Sequence, residues 1–309
     1  MRQDKKVCFF VRSFPVLSQT FVINQIKDLT SSGMDVEVIA VNPILDNGEV
    51  EREIFGANTS GHVYSILSKS QSSRSVLNTL LGLLYCCLSF KRFNLIKLFL
   101  HFLKKRNIFL AKDLMNIVWS LKNKQIRMER CVAHFGNNGV LIDQLRQAKL
   151  LECSKLYTIF HGYEISKYDQ LKLWQGYYAK LTGQLLPISK LWKKRLIEFG
   201  ASEGSIKVLH MGVNLKNFKF GVREISNPVR LLTVARATEK KGLVYAIDAV
   251  LECSIECHLV VIGDGQLLEE LRSRVKNHPK NNRVSFLGAQ PPESIAKHLK
   301  NSDIFILPS

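Results

Sequence analysis

The stretch VARATEKKGLVYAIDAV, residues 234–250, places Arg236, Lys240 and Lys241 where an apolar run gives way to helical spacing. Leu231 to Ala235 reads as a buried strand, and Leu243, Ala246, Ile247 and Val250 recur with the period of a helix. The cations therefore fall in a strand-to-helix loop, which in open α/β sheets opens onto the ligand crevice. Cations at a helix start oppose the helix dipole, which favours an anionic ligand over simple solvation. Lys240 is expected to be the solvated member of the pair. Two histidines share a related setting: His161 follows YTIF and precedes a glycine, and His134 stands one strand earlier in CVAHF. Each is either a ligand-facing ring or a histidine satisfied in a packed corner. In SFPVLSQT, the hydroxyls of Ser18 and Thr20 and nearby N–H groups make either an anion site or an ordinary N-cap. Gly263 and Gly265 flank Asp264 between a strand and a helix; without a third glycine this is a weak dinucleotide signal, and a tight turn suffices.

The elements that carry these residues alternate. VCFFVRSFP, TFVINQIKDLTSSG and DVEVIAVNP read as strand, helix and strand, with Gly33 ending the helix. A polar loop (46–61) and a basic helical region to about residue 130 follow. CVAHF, KLYTIF, LLPIS and IKVLHMGV read as short strands. From Pro228 the order is VRLLTVA, a helix over 243–252, HLVVIG, a helix over 266–277, RVSFLG, a helix over 292–300, and DIFILPS. Strict alternation argues α/β architecture with parallel, doubly wound sheets. Two Rossmann-like domains are expected, 1–220 and 228–309, with a weakly patterned join at 216–228 and a ligand cleft between them. The second domain stops on its fourth strand, which reads as a C-terminal truncation.

Composition narrows the function. The net charge is +18, and half of it lies in residues 91–130, where eleven Lys/Arg face only Asp113 and Glu129. KRFNLIKLFLHFLKKRN puts Phe93, Ile96, Leu100 and Leu103 on one helical stripe and Lys97, His101, Lys104 and Lys105 on another face. Such a helix either lies on an anionic membrane surface or simply solvates its charges. His101 is expected at a surface or interface. Nucleic acid is not expected, for no aromatic-basic module accompanies the charge. Ser75 to Phe90 is uncharged but shorter than the about twenty apolar residues of a spanning helix, and reads as a helix of the core or an interface. Seven cysteines form no CxxC pair, and Cys253 and Cys257 have no assigned role. With no signal pattern at the start, a reduced cytoplasmic setting is expected. No DxD, no metal-ligand cluster and no Ser-His-Asp arrangement stands out, so neither a bound metal nor hydrolase chemistry is expected. A dehydrogenase is disfavoured as well, since no Asp or Glu stands at the distance a ribose hydroxyl needs.

Taken in order, FPVLSQTFV (14–22), AHFGNNG (133–139), FHGYEIS (160–166), the long segment from Pro187 to Phe218, VARATEKKG, VVIGDG and VSFLG resemble the landmarks of the family 4 retaining glycosyltransferases. The resemblance covers almost the whole chain and points to the bacterial exopolysaccharide subgroup. It implies a glycosyltransferase-B fold and a nucleotide-sugar donor as substrate, with no separate cofactor. By the same resemblance, Arg236 and Lys241 would hold the donor diphosphate, His161 would face the transferred sugar, and the loop with Ser18 and Thr20 would approach the phosphates. The acceptor would be a polysaccharide or lipid-linked glycan, met on the cytoplasmic face of the membrane. The Asp usual in the connecting signature is Asn214 here, and the family's paired glutamates would fall just past Leu307–Ser309. An inactive truncated remnant and a non-enzymatic basic surface binder are therefore the alternatives to an active transferase.

Overall fold

Lys6–Val11 (β1) is a continuous apolar run buried on both faces, as a central strand of a parallel sheet requires. The computed structural model describes residues 6–15, 20–42, 52, 54–55, 63–67, 76–212, 218, 220–222 and 224–309. It divides into two units, Met1–Met211 and Gly212–Ser309, just before the stretch 216–228 expected to join two domains.

In the first unit, β1 is followed by a helix at Thr20–Ser31 (α1) and strands Asp35–Ala40 (β2) and Val63–Ser65 (β3). Gly33, at φ +78°, turns the chain out of α1. Helices Val76–Cys87 (α2), Phe93–Lys104 (α3) and Ile108–Leu121 (α4) come next, then strand Arg127–His134 (β4) and helix Gly136–Gln147 (α5). Glu152–Phe160 (β5), the short helix Tyr163–Ser166 (α6), Tyr168–Tyr178 (α7), Gln184–Pro187 (β6) and Lys190–Glu198 (α8) complete it. The six strands are parallel in the order β3-β2-β1-β4-β5-β6. Strand order therefore reverses between β1 and β4, where such sheets present their ligand crevice.

The second unit repeats the plan: Val229–Val234 (β7), Leu243–Glu252 (α9), Cys257–Ile262 (β8), Leu268–Lys276 (α10), Val284–Gly288 (β9), Pro292–Asn301 (α11) and Ile304–Phe305 (β10). Its parallel sheet runs β10-β7-β8-β9, and the order reverses between β7 and β10. Leu231, Ile247, Leu259 and Val261 are buried together between strands and helix. Both units are Rossmann-like, as the alternation predicts.

One expectation is corrected. IKVLHMGV is not a strand: Ile206 makes a single bridge to Leu185, and Lys207 and Leu209 donate N–H groups to the Leu185 and Pro187 carbonyls before the segment leaves β6. Its Val213 lies outside the described residues. The uncharged stretch and the basic helical region after it form three helices, and their buried faces are chosen by size as much as by polarity. In α2 the buried residues are Thr79, Gly82 and Cys86, while Leu77, Leu80 and Leu84 are exposed. A Cβ on Gly82 would stand 2.4 Å from the Met115 carbonyl oxygen, so α2 and α4 meet through small residues. In α3 the buried face is Leu95, Leu98 and Phe102, and Phe93, Leu100 and Leu103 point outward.

Candidate active site

The loop after β7 is built on backbone contact. Ala235 and Ala237 donate N–H groups to the carbonyls of Ile262 and Asp264, at 3.0 and 2.9 Å, and Leu267 donates to Ala237. Gly263 is at φ +137°, and a Cβ there would lie 2.0 Å from the Ala235 oxygen; one on Gly265 would lie 2.5 Å from that of Ala237. The two glycines therefore let one strand-end loop rest directly on the next. Their own N–H groups are already donated, Gly263 to the Gly288 carbonyl and Gly265 to Asp264 Oδ1. That is the tight-turn role, and it leaves neither amide to a phosphate as it stands.

On this platform Arg236 and Lys240 are exposed and Lys241 is half-buried at the end of a short 3-10 turn. None of the three side chains has a hydrogen bond or ion pair among the described residues. Gly242, left-handed at φ +60°, then starts α9 without a side-chain cap, leaving the first N–H groups of the helix to other partners. A Cβ on Gly242 would lie 2.8 Å from the Pro308 oxygen, so the segments after β7 and β10 meet here. Arg236 and Lys241 accordingly stand at the reversal of the second sheet.

In the first unit the register pairs His134, the last residue of β4, with Ile159 of β5. Side chains repeat every second residue along a strand, so His161 returns to the face of Ile159 one step past the end of β5. The rings meet: His134 Nδ1 lies 2.9 Å from His161 Nε2. Phe9, Phe21 and Phe135 surround them, Phe21 with its ring centroid 4.4 Å from that of His161. His134 is fully buried. Burial, with His161 as a lesser cause, pushes it down to about 3, and burial pushes His161 down to about 4. Both rings are neutral at neutral pH. Phe135, between β4 and α5, holds φ +72°, a strain of about 1–3 kcal/mol that its neighbours must offset.

The sequence reading does not single out Glu164. It is buried, and its Oε1 accepts the N–H groups of His161 at 2.8 Å and Gly136 at 3.3 Å. Burial raises its pKa against the opposing effect of these backbone bonds. Gly136 is required here, because a Cβ would stand 2.3 Å from the Phe160 ring. The signal that could have found Glu164 is its place three residues after His161, inside the same strand-to-helix turn.

Of the remaining expected site residues, Ser18 lies outside the described residues and Thr20 is the exposed first residue of α1. His101 is half-buried: its Nε2 bonds the Leu173 carbonyl at 2.8 Å, and its ring packs edge-on to Tyr177. Also absent from the sequence reading is an ion pair between Arg12, just past β1, and buried Asp113 of α4. It lines a cavity of about 380 Å³ with Asn107, Phe109, Gln170 and Trp174. Among the described residues no three His, Cys, Asp or Glu gather as metal ligands, and no helix is long and apolar enough to cross a membrane.

Two parallel Rossmann-like sheets are the architecture of the glycosyltransferase-B fold, and solved structures agree. Anabaena HepE, solved with UDP and glucose, superposes with a TM-score of 0.63 at 15% identity over 99% of this chain and 74% of that one. TarM gives a TM-score of 0.64 at 9% identity over 99% and 80%. The family described as glycosyl transferases group 1 matches residues 216–309. The amylovoran biosynthesis glycosyltransferase AmsK of Erwinia amylovora is 33% identical over 98% of this chain and 75% of its own length. WcaL of Escherichia coli, whose name assigns it to colanic acid biosynthesis, is 30% identical over the same shares. The chain belongs to the group 1 glycosyltransferases of the exopolysaccharide type.

Proposed function

We propose that the chain transfers a hexosyl group, with retention of anomeric configuration, from a nucleotide-diphosphate donor to a polysaccharide or lipid-linked acceptor in surface glycan synthesis. The observation that carries this reading is the position of Arg236 and Lys241 at the reversal of the second sheet, with no side-chain partner among the described residues. As the donor's bond breaks, negative charge grows on the departing diphosphate. A guanidinium can fork onto two of its oxygens, and an ammonium adds a point charge. The uncapped start of α9 adds N–H groups facing the same way. His161 receives the sugar in the first unit. The cavity beside Arg12 and Asp113, with amides for hydroxyl groups and aromatic faces for ring C–H groups, suits the acceptor.

Purified chain incubated with a panel of nucleotide-diphosphate sugars, with and without membrane extract as acceptor source, tests the proposal. Release of nucleoside diphosphate that is lost on Arg236→Ala and Lys241→Ala is expected. Release indifferent to both substitutions refutes the assignment.

The same reading places the protein on the cytoplasmic face of an anionic membrane. Leu77, Leu80 and Leu84 of α2, then Leu88, Phe90 and Phe93, are all at least half exposed. Lys91 stands among them, and Lys104, Lys105 and Arg106 follow in the chain, all exposed. Apolar side chains turned to solvent beside uncommitted cations suit an interface of acyl chains and lipid phosphates. Cosedimentation with phosphatidylglycerol vesicles, weakened in Leu80→Gln/Leu84→Gln and in Lys104→Gln/Lys105→Gln, is the expected result. Equal binding to phosphatidylcholine vesicles, or none to either, removes the membrane from the proposal.

A further inference from the structure

The contact between His134 and His161 fixes more than their distance. The rings are inclined by only 16° with centroids 5.2 Å apart, while the facing nitrogens are 2.9 Å apart. That combination describes two rings edge to edge in nearly one plane, so one N–H points along the lone pair of the other ring. Two neutral imidazoles share a single proton across such a contact, and there are two ways to place it. If His161 Nε2–H donates, His134 must carry its own proton on Nε2. That nitrogen is buried and has no partner. Phe9 lies nearly parallel to the His134 ring, at 17°, and so its face cannot receive an in-plane N–H. An orphaned buried N–H is among the rarest arrangements in folded proteins, whereas an under-used acceptor is tolerated more often.

We propose that His134 is a positioning residue: its Nδ1–H donates to His161 Nε2 and thereby fixes the proton of His161 on Nδ1. The only ring nitrogen of His161 left for a ligand is then a hydrogen-bond donor. On the reading that His161 meets the transferred sugar, the ring holds a sugar oxygen by donation and is not a general base. Removing a proton from substrate would require the Nε2 lone pair, and that lone pair is occupied by His134. Glu164 supports the arrangement from the backbone side, by anchoring the His161 N–H at 2.8 Å.

Isotope-labelled histidine in the full chain, read by long-range proton–nitrogen correlation at neutral pH, tests the assignment without any activity measurement. The signals of His161 are those lost in His161→Gln. A pyrrole-type Nδ1 and a pyridine-type Nε2 on both histidines are expected; a protonated Nε2 on His161 overturns the proposal. Two substitutions probe the cause. His134→Asn offers an amide N–H where Nδ1–H stood and keeps the proton of His161 on Nδ1. His134→Asp offers only an acceptor and moves it to Nε2, with kcat/KM about tenfold lower than in the asparagine variant. An unmoved proton in the aspartate variant shows that His134 does not set it, and the proposal fails. The wild-type spectrum decides the assignment even where the aspartate variant does not fold. If the spectra are as expected but His161→Ala transfers sugar as well as wild type, the sugar-facing role of His161 falls and the assignment stands.

Discussion

The loop after β7 and the histidine pair at the ends of β4 and β5 both stand at carboxyl ends of parallel strands, yet they hold their polar atoms in opposite ways. Around Arg236 the N–H groups of Ala235, Ala237 and Leu267 are bonded to backbone carbonyls, and the charged side chains are left unbound. Around His134 and His161 the side chains are engaged with each other and neutral, His134 fully buried and His161 half-buried. A long cation can stay hydrated until an anion displaces its water, so it needs no protein partner. A neutral ring that must present one chosen atom has to be locked before the ligand arrives.

The largest effect that would test this contrast is on chemistry. Arg236→Ala combined with Lys241→Ala lowers transfer by about 10²–10³-fold, while the thermal midpoint stays put because neither side chain braces the fold. A midpoint that drops with the activity would mean the charges are structural, and the contrast breaks. Gly263→Ala should act the other way. Its Cβ meets the Ala235 oxygen, so a cost of about 3 kcal/mol is expected in the second unit, with donor affinity falling as the Arg236 loop is displaced. Hydrogen exchange across β7 and β8 reads that loss.

The third effect is on acid stability of the first unit. An unfolded histidine takes its proton near pH 6.5, whereas folded His134 and His161 do so near 3 and 4. Their contribution is fully present above pH 6.5. Below that, the unfolded chain binds protons that the fold refuses, and stability drains by up to about 1.4 kcal/mol per pH unit for each histidine. The loss levels off for His161 near pH 4 and for His134 near pH 3. Trp119, Trp174 and Trp192, all three tryptophans of the chain, lie in the first unit, so their fluorescence follows it alone. His134→Asn should flatten the profile; an unchanged profile contradicts a buried neutral His134. Smallest of all is Lys240→Ala, expected to shift stability by less than about 0.5 kcal/mol and to leave donor affinity near wild type.

Much of this was legible in the sequence. The apolar runs at Val229–Val234 and Cys257–Ile262 and the cations that follow the first announce a strand-end site, because strand and helix periods change within a few residues. The histidine contact was not legible, for it depends on the parallel register that sets His134 beside Ile159. Glu164 shows its role only in the fold, where the N–H groups of His161 and Gly136 converge on it. Helix α2 defeats the rule that leucines face inward, since close approach to Met115 selects the small residues for the buried side. IKVLHMGV has the apolar content of a strand, but its bonding to β6 stops after Leu209.

The outward leucines of α2 also govern how the purified chain behaves in a test tube. With nothing among the described residues lying over Leu77, Leu80 and Leu84, rising concentration will drive copies together through those side chains, and a mild detergent will disperse them. Sedimentation velocity with and without detergent would register that stickiness, and an ideal monomer at every concentration would show the leucines to be harmless in water.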